Sequence, residues 1–155
     1  MKFVAKEDIE APIDQVFGEV ADFEGFQRSA IRRGIKVVRL DSLTEPGPGM
    51  KWDSEFELRG RKREMTVTLA DFDSPNGMKF EAASPGMNAF CNIELMPLSR
   101  NRTRMRFEIE LKPQNLAARL MVQSLKLAKA SLTKRLNLRL ADFASYIEGR
   151  TKRRA

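Results

Sequence analysis

The sequence predicts a single α+β domain: an antiparallel sheet with two short helices after its first strand and one long helix at its C-terminal end. Three observations predict it. Charged residues alternate with uncharged, mostly apolar ones over Met50–Leu58 and again over Thr103–Leu111, the period of half-buried antiparallel strands. Turn clusters separate the segments between them: Pro46-Gly47-Pro48-Gly49, Gly60, Ser74-Pro75-Asn76-Gly77, Ser84-Pro85-Gly86 and Ser99-Arg100-Asn101-Arg102. From Leu116 to about Ile147 the chain carries no Gly or Pro and repeats apolar residues at helical spacing. With 155 residues, one domain over 1–148 followed by a basic tail over 149–155, frayed over Thr151–Ala155, is the natural division.

Each element has its own signal. Lys2–Ile9 reads as a strand with Phe3, Ala5, Glu7 and Ile9 on one face. Pro12 suits the first position of a helix, and Asp14 complements that helix's dipole. Ile13, Val16, Phe17 and Val20 fall at i, i+3, i+4, i+7. A second helix is expected over Glu24–Arg33, stopped by Gly34. Strands follow over Ile35–Asp41, Met50–Leu58, Arg61–Asp73, Met78–Ser84, Ala89–Leu98 and Thr103–Leu111. Met121, Leu125, Ala128, Leu132, Leu136, Leu140, Phe143 and Ile147 form the stripe of one continuous helix. Leu116, Leu120, Leu127 and Leu138 lie nearly opposite that stripe, so this helix is expected to meet apolar groups on two sides.

Composition removes several chemistries. Histidine is absent and Cys91 is the single cysteine. Ser-His-Asp and Cys-His machinery need an imidazole, and a zinc site needs several Cys or His ligands. One thiol makes no intrachain disulfide. The charged N-terminus and the lack of a long apolar run lead to the expectation of a soluble cytoplasmic domain. Net charge is +7, unevenly placed: residues 100–155 hold 15 Lys+Arg against 4 Asp+Glu. Such a third attracts anionic lipid headgroups or nucleic acid, although a solvated helix face is the plainer reading. No aromatics interleave with these cations and no nucleic-acid motif is present, so nucleic acid is not an expected partner.

Strand, two short helices, about six hairpin-linked strands and one long helix is the helix-grip order. The chain resembles the SRPBCC (START / polyketide-cyclase-like) superfamily over essentially its full length. Ile9-Glu10-Ala11-Pro12-Ile13-Asp14-Gln15-Val16-Phe17, followed by Ala21-Asp22-Phe23, is similar to the opening of that family, and Gly47-Pro48-Gly49-Met50-Lys51-Trp52 to its third-strand hairpin. The resemblance implies a curved sheet wrapped around the C-terminal helix and a cavity for a small hydrophobic or amphipathic molecule, of lipid, polyketide or quinone class. It also leaves open a cyclase, dehydratase or isomerase, and the basic residues of the last helix leave open a lipid-delivery module docking on an anionic membrane. Iron-bound members use histidine, which is absent here.

Trp52, Phe56, Met65, Phe80, Met105 and Phe107 have inward strand parity and are candidates to line such a cavity, with Met121 of the long helix; a packed core has the same periodicity. Ser54 and Arg63 are the candidate polar groups that orient a ligand, although Arg61 and Arg63 also suit the open end of a strand with their heads in water. Glu7 could pair with such an arginine. Cys91 reads as an inert core thiol. Glu94 is the best single carboxylate for acid–base work, and Tyr146, the only tyrosine, lies near the end of the last helix. No catalytic residue, metal ligand or cofactor is assigned. Leu127 and Leu138 are candidates for a homodimer patch or for closing the cavity.

Overall fold

A computed structural model describes residues 1–154. The elements are β1 (Lys2–Ile9), α1 (Ile13–Val20), α2 (Phe23–Arg32), β2 (Lys36–Arg39), β3 (Lys51–Leu58), β4 (Arg61–Asp73), β5 (Gly77–Ser84), β6 (Met87–Ser99), β7 (Arg102–Pro113), α3 (Leu116–Leu127) and α4 (Lys129–Arg154). The strands form one seven-stranded antiparallel sheet in the order β1-β7-β6-β5-β4-β3-β2. Consecutive strands from β2 to β7 pair as hairpins, and β1 closes beside β7. The register shifts in β4 at Leu69/Asp71 and in β6 at Pro97/Ser99, each a local increase in bend and twist. The architecture is the expected helix grip.

The start of α1 and α2 explains the opening sequence pattern physically. Pro12 is not the first helical residue but the residue before it, extended at φ −62° and ψ 149°, so the helix begins at Ile13. The Ala11 carbonyl just upstream accepts a buried 2.9 Å hydrogen bond from the Thr103 hydroxyl at the start of β7. Asp22 accepts a 3.1 Å bond from the Gly25 amide and so caps α2. A Cβ at Gly25 would collide with the Asp22 carboxylate, so the glycine makes room for its own cap. Gly34, at φ +88°, follows the end of α2 in the left-handed conformation that glycine adopts without strain.

The long C-terminal helix is broken, contrary to the sequence expectation. Ala128 leaves helical geometry at φ −101° and ψ 11°, and its amide bonds back to Leu125 in a tight last turn of α3. α3 packs against β7, while α4 lies along β1 and touches α1. The break, which neither Gly nor Pro marks, separates a segment docked on β7 from one docked on β1 and α1. The residues expected as a frayed tail are also helical as far as Arg154. Arg150 donates a 2.7 Å bond to the largely buried Glu19, and Thr151 bonds the Ile147 carbonyl at 2.9 Å. Ala155, the last residue of that expected tail, lies outside the described residues.

The core joins Ile9, Ala11, Val16, Leu69, Met78, Met105, Leu140, Ala144 and Ile147 between sheet, α1 and α4. At its β2–β3 edge, Asp41 accepts two bonds from Arg39 Nε and Nη2 at 3.0 and 2.8 Å. It also accepts the backbone amides of Lys51 and Leu43 at 2.8 and 3.0 Å. The guanidinium first, then these amides, hold its carboxyl well below the ordinary carboxylate value of 3.8. A carboxyl depressed in the folded state contributes stability that is present above the unfolded value and is lost as pH falls through the folded one. Asp41→Asn is therefore expected to lower stability at neutral pH and to flatten the acid limb of the stability–pH curve below 3.8. Urea midpoints measured across acidic pH check this. An acid limb identical to wild type would show that Asp41 is not one of its sources.

Candidate functional site

Strand register brings the inward side chains into rows. Trp52 stands opposite Val67, Ser54 opposite Met65, Phe80 opposite Cys91 and Ile93 opposite Phe107. These rows face the helices and bound an open cavity of about 760 Å³. α2 covers one side with Phe23, Phe26, Gln27 and Ala30, and α4 another with Leu136, Arg139, Leu140 and Phe143. Both quartets have i, i+3, i+4, i+7 spacing, so each helix turns a single stripe toward the space. The helices meet at Phe26 and Phe143, whose ring centroids are 5.9 Å apart. Deeper in, Phe23 packs at 5.6 Å from Trp52, 6.2 Å from Phe72 and 6.1 Å from Phe80, an aromatic wall under α2.

Seven of the nine expected ligand-contacting residues line this cavity: Trp52, Ser54, Phe56, Met65, Phe80, Met105 and Phe107. Met121 does not. It lies on α3, beyond the break at Ala128, half-buried and away from the lining. Arg63 does not line it either, although it pairs with Phe56 in register and its Nε is buried without a hydrogen-bond partner among the described residues. On β4 the lining stops at Met65, one inward position before Arg63, while Phe56, level with Arg63 on β3, still lines the space. Ser54 lines the space, but its hydroxyl proton is donated to the Met65 carbonyl at 3.1 Å, leaving only oxygen lone pairs for a ligand.

The expected acid–base groups are elsewhere. Cys91, Ile93 and Leu95 are the inward residues of β6, so Glu94 points to the outer face, where it accepts a 3.1 Å bond from Asn92. Glu7 stands opposite Met105 on β1, separated from Arg63 by β7, β6 and β5, so the two do not pair. Tyr146 is half exposed beside Phe143 and Arg150. Among the described residues, no carboxylate and no tyrosine lines the cavity. Cys91 does line it, and burial pushes its thiol up to about 12, far from a reactive thiolate.

Sequence reasoning missed the helical half of the site. Phe26, Gln27 and Ala30 share one face of a short, strongly amphipathic helix, and such a face reads equally as the inner side of an ordinary surface helix; of α2 only Phe23 is fully buried. Arg139 was hidden among the many cations of the basic third. It is an exposed residue that nevertheless contributes to the lining, which places it at the opening. Its spacing three residues after Leu136 and four before Phe143 was the available signal.

Comparison with known proteins follows the same outline. The family described as polyketide cyclase / dehydrase and lipid transport matches residues 1–148. Among curated proteins no sequence matches. Among solved structures, the chain is similar to the Zhui aromatase/cyclase of a Streptomyces species, at 16% identity and a TM-score of 0.66, covering 99% of this chain and 94% of that one. A Thermus thermophilus protein aligns at 12% identity and TM-score 0.69 over 97% and 99% of the two chains. A START superfamily protein of Mycobacterium smegmatis aligns at 14% identity and TM-score 0.57 over 99% of each. At these identities the structures share the fold. With its family match spanning all but the last few residues, the chain belongs to the polyketide cyclase / dehydrase and lipid-transport family.

Proposed function

We propose that this protein binds one small amphipathic molecule, its apolar body in the cavity and its polar end at the Gln27–Arg139 opening. The observation that carries this reading is the distribution of chemistry around the cavity. Aromatic, aliphatic and thioether side chains make nearly all of the wall, and the one formal charge, Arg139, sits at the rim. The volume of about 760 Å³ falls in the range of sites that enclose a whole ligand. Apolar burial supplies affinity, and a guanidinium at the mouth favours a ligand ending in a carboxylate, phosphate or enolate. Met65 and Met105 suit a wall that adapts to more than one shape. A cyclase-type activity lacks support from the site, because no carboxylate or tyrosine among the described residues reaches the cavity.

The single tryptophan gives a direct assay, since Trp52 is part of the wall. Titration with long-chain fatty acids and with aromatic polyketide or quinone probes is expected to shift or quench its emission saturably. Denaturing extraction of freshly purified protein is expected to release a hydrophobic molecule. No saturable change across both classes, together with an empty extract, would overturn the reading.

A further inference from the structure

From Leu111 to Ala141 the chain carries seven Lys or Arg and no Asp or Glu. This stretch contains α3, and α3 is oddly turned. Its buried residues are Ala118 and Val122, while Leu116, Leu120 and Leu127 are 71%, 62% and 92% exposed. At about 100° per residue those three leucines fall within roughly 40° of one another, opposite the packed face. Arg119 and Lys126 flank them on one side. The helix has its own cap, Asn115 accepting the Ala118 amide at 2.8 Å, so the stripe is held in one orientation. On the other side, the tip of the β3–β4 hairpin reaches α3 through Arg59 Nη2 and the Ser124 hydroxyl, 3.4 Å apart. That tip adds the exposed Leu58 together with Arg59 and Arg61. Its one nearby carboxylate, Glu57, stands opposite Lys62 in register.

We infer that the α3 leucine stripe and the neighbouring hairpin tip form a docking face for an anionic lipid bilayer. Exposed leucines bracketed by lysine and arginine are the combination that buries an apolar stripe at the headgroup boundary while its cations meet lipid phosphates. Charge selects this occupant over the others. A second copy seated on the same face would bring two acid-free, cationic helices together, because a two-fold contact apposes each patch with itself. A nucleic acid would use the cations but would leave the leucines unexplained, and no aromatic in this helix offers a stacking surface. Among the described residues no helix is long and apolar enough to cross a membrane, so α3 would lie on the surface. The inference stands apart from the cavity reading, since α3 contributes nothing to the cavity wall.

Vesicle sedimentation tests it. The full chain is expected to pellet with phosphatidylcholine vesicles containing phosphatidylglycerol, less with phosphatidylcholine alone, and less as salt rises. Leu120→Ser/Leu127→Ser is expected to weaken that partition by at least about tenfold with an unchanged circular dichroism spectrum. Arg119→Gln/Lys126→Gln is expected to lower both binding and its salt dependence. A fluorophore on Leu127→Cys should shift to the blue on anionic vesicles, and Cys91, set in the cavity wall, should compete poorly for the label. Trp52 titration of the leucine variant should match wild type, which separates failure of docking from failure of the cavity. The inference is overturned by no pelleting with anionic vesicles, or by pelleting that the leucine variant leaves intact. It is likewise overturned by a dimer that the leucine variant dissolves without any vesicle binding, or by heparin retention without vesicle binding.

Discussion

Ile147→Ala is expected to lower the free energy of unfolding by about 3 kcal/mol, the cost of removing a fully enclosed branched side chain and leaving a void. Ile147 has no exposed surface and shares one core cluster with Ile9, Met105, Leu140 and Ala144. It sits where α4 lies along β1, the contact that holds the helix in the grip of the sheet. The surroundings resist collapse. Ile9 and Ile147 are both fully buried, and polar ties pin the same stretch: the Glu10 amide donates to Glu148 Oε2 at 2.9 Å, and Arg150 donates to Glu19 at 2.7 Å. The matching control is Leu127→Ala, which removes a similar side chain that is almost wholly in water. That change should stay within about 0.5 kcal/mol. Urea denaturation with unchanged slopes measures both. Equal losses at the two positions would contradict the placement of α4 on β1 and of α3 outside the core.

The contrast between those two residues also marks what the sequence could reveal. The sheet was legible because its signals are local and redundant: alternating strands bounded by Gly, Pro and Asn turns fix parity over only a few residues. Parity in turn identified seven wall residues, from Trp52 to Phe107. Helical phase is less forgiving. The stripe from Met121 to Ile147 reads as one face, but the helix is interrupted at Ala128, and Met121 lies on α3, outside the lining that Leu136 and Leu140 of α4 join. Leu116, Leu120 and Leu127 were legible as a second stripe, yet not as a solvent-facing one, because exposure depends on where β7 and α4 place the helix. Arg63 has inward parity and stands level with the lining residue Phe56, yet its side chain is not part of the wall, which parity alone does not reveal. Helical spacing groups Arg139 with Leu136 and Phe143, and Phe26 and Gln27 with Phe23, but that these two faces meet over one space is a tertiary fact.

Val67→Phe should abolish ligand capture while hardly disturbing the fold, and its comparison with Leu69→Phe isolates the cavity as the cause. Both residues lie on the inner face of β4, two positions apart. Val67 faces the cavity between Trp52 and Ala82, whereas Leu69 is fully buried against Phe80 in packed core. An added ring at position 67 has open volume to occupy, so stability should change by less than about 1 kcal/mol. The same ring at position 69 has none and should cost about 1–3 kcal/mol through displaced neighbours. Capture of a hydrophobic probe, followed by Trp52 emission, should fall at least about tenfold in the first variant, because the ring takes the place of ligand atoms. Trp52 stays in the wall of both variants, so the reporter is preserved. If Val67→Phe destabilised the protein as much as Leu69→Phe, the interior would be filled in solution and the cavity would hold nothing. If it were tolerated and still bound the probe with full affinity, the ligand would lie elsewhere, and the helical wall of α2 and α4 would be the next place to obstruct.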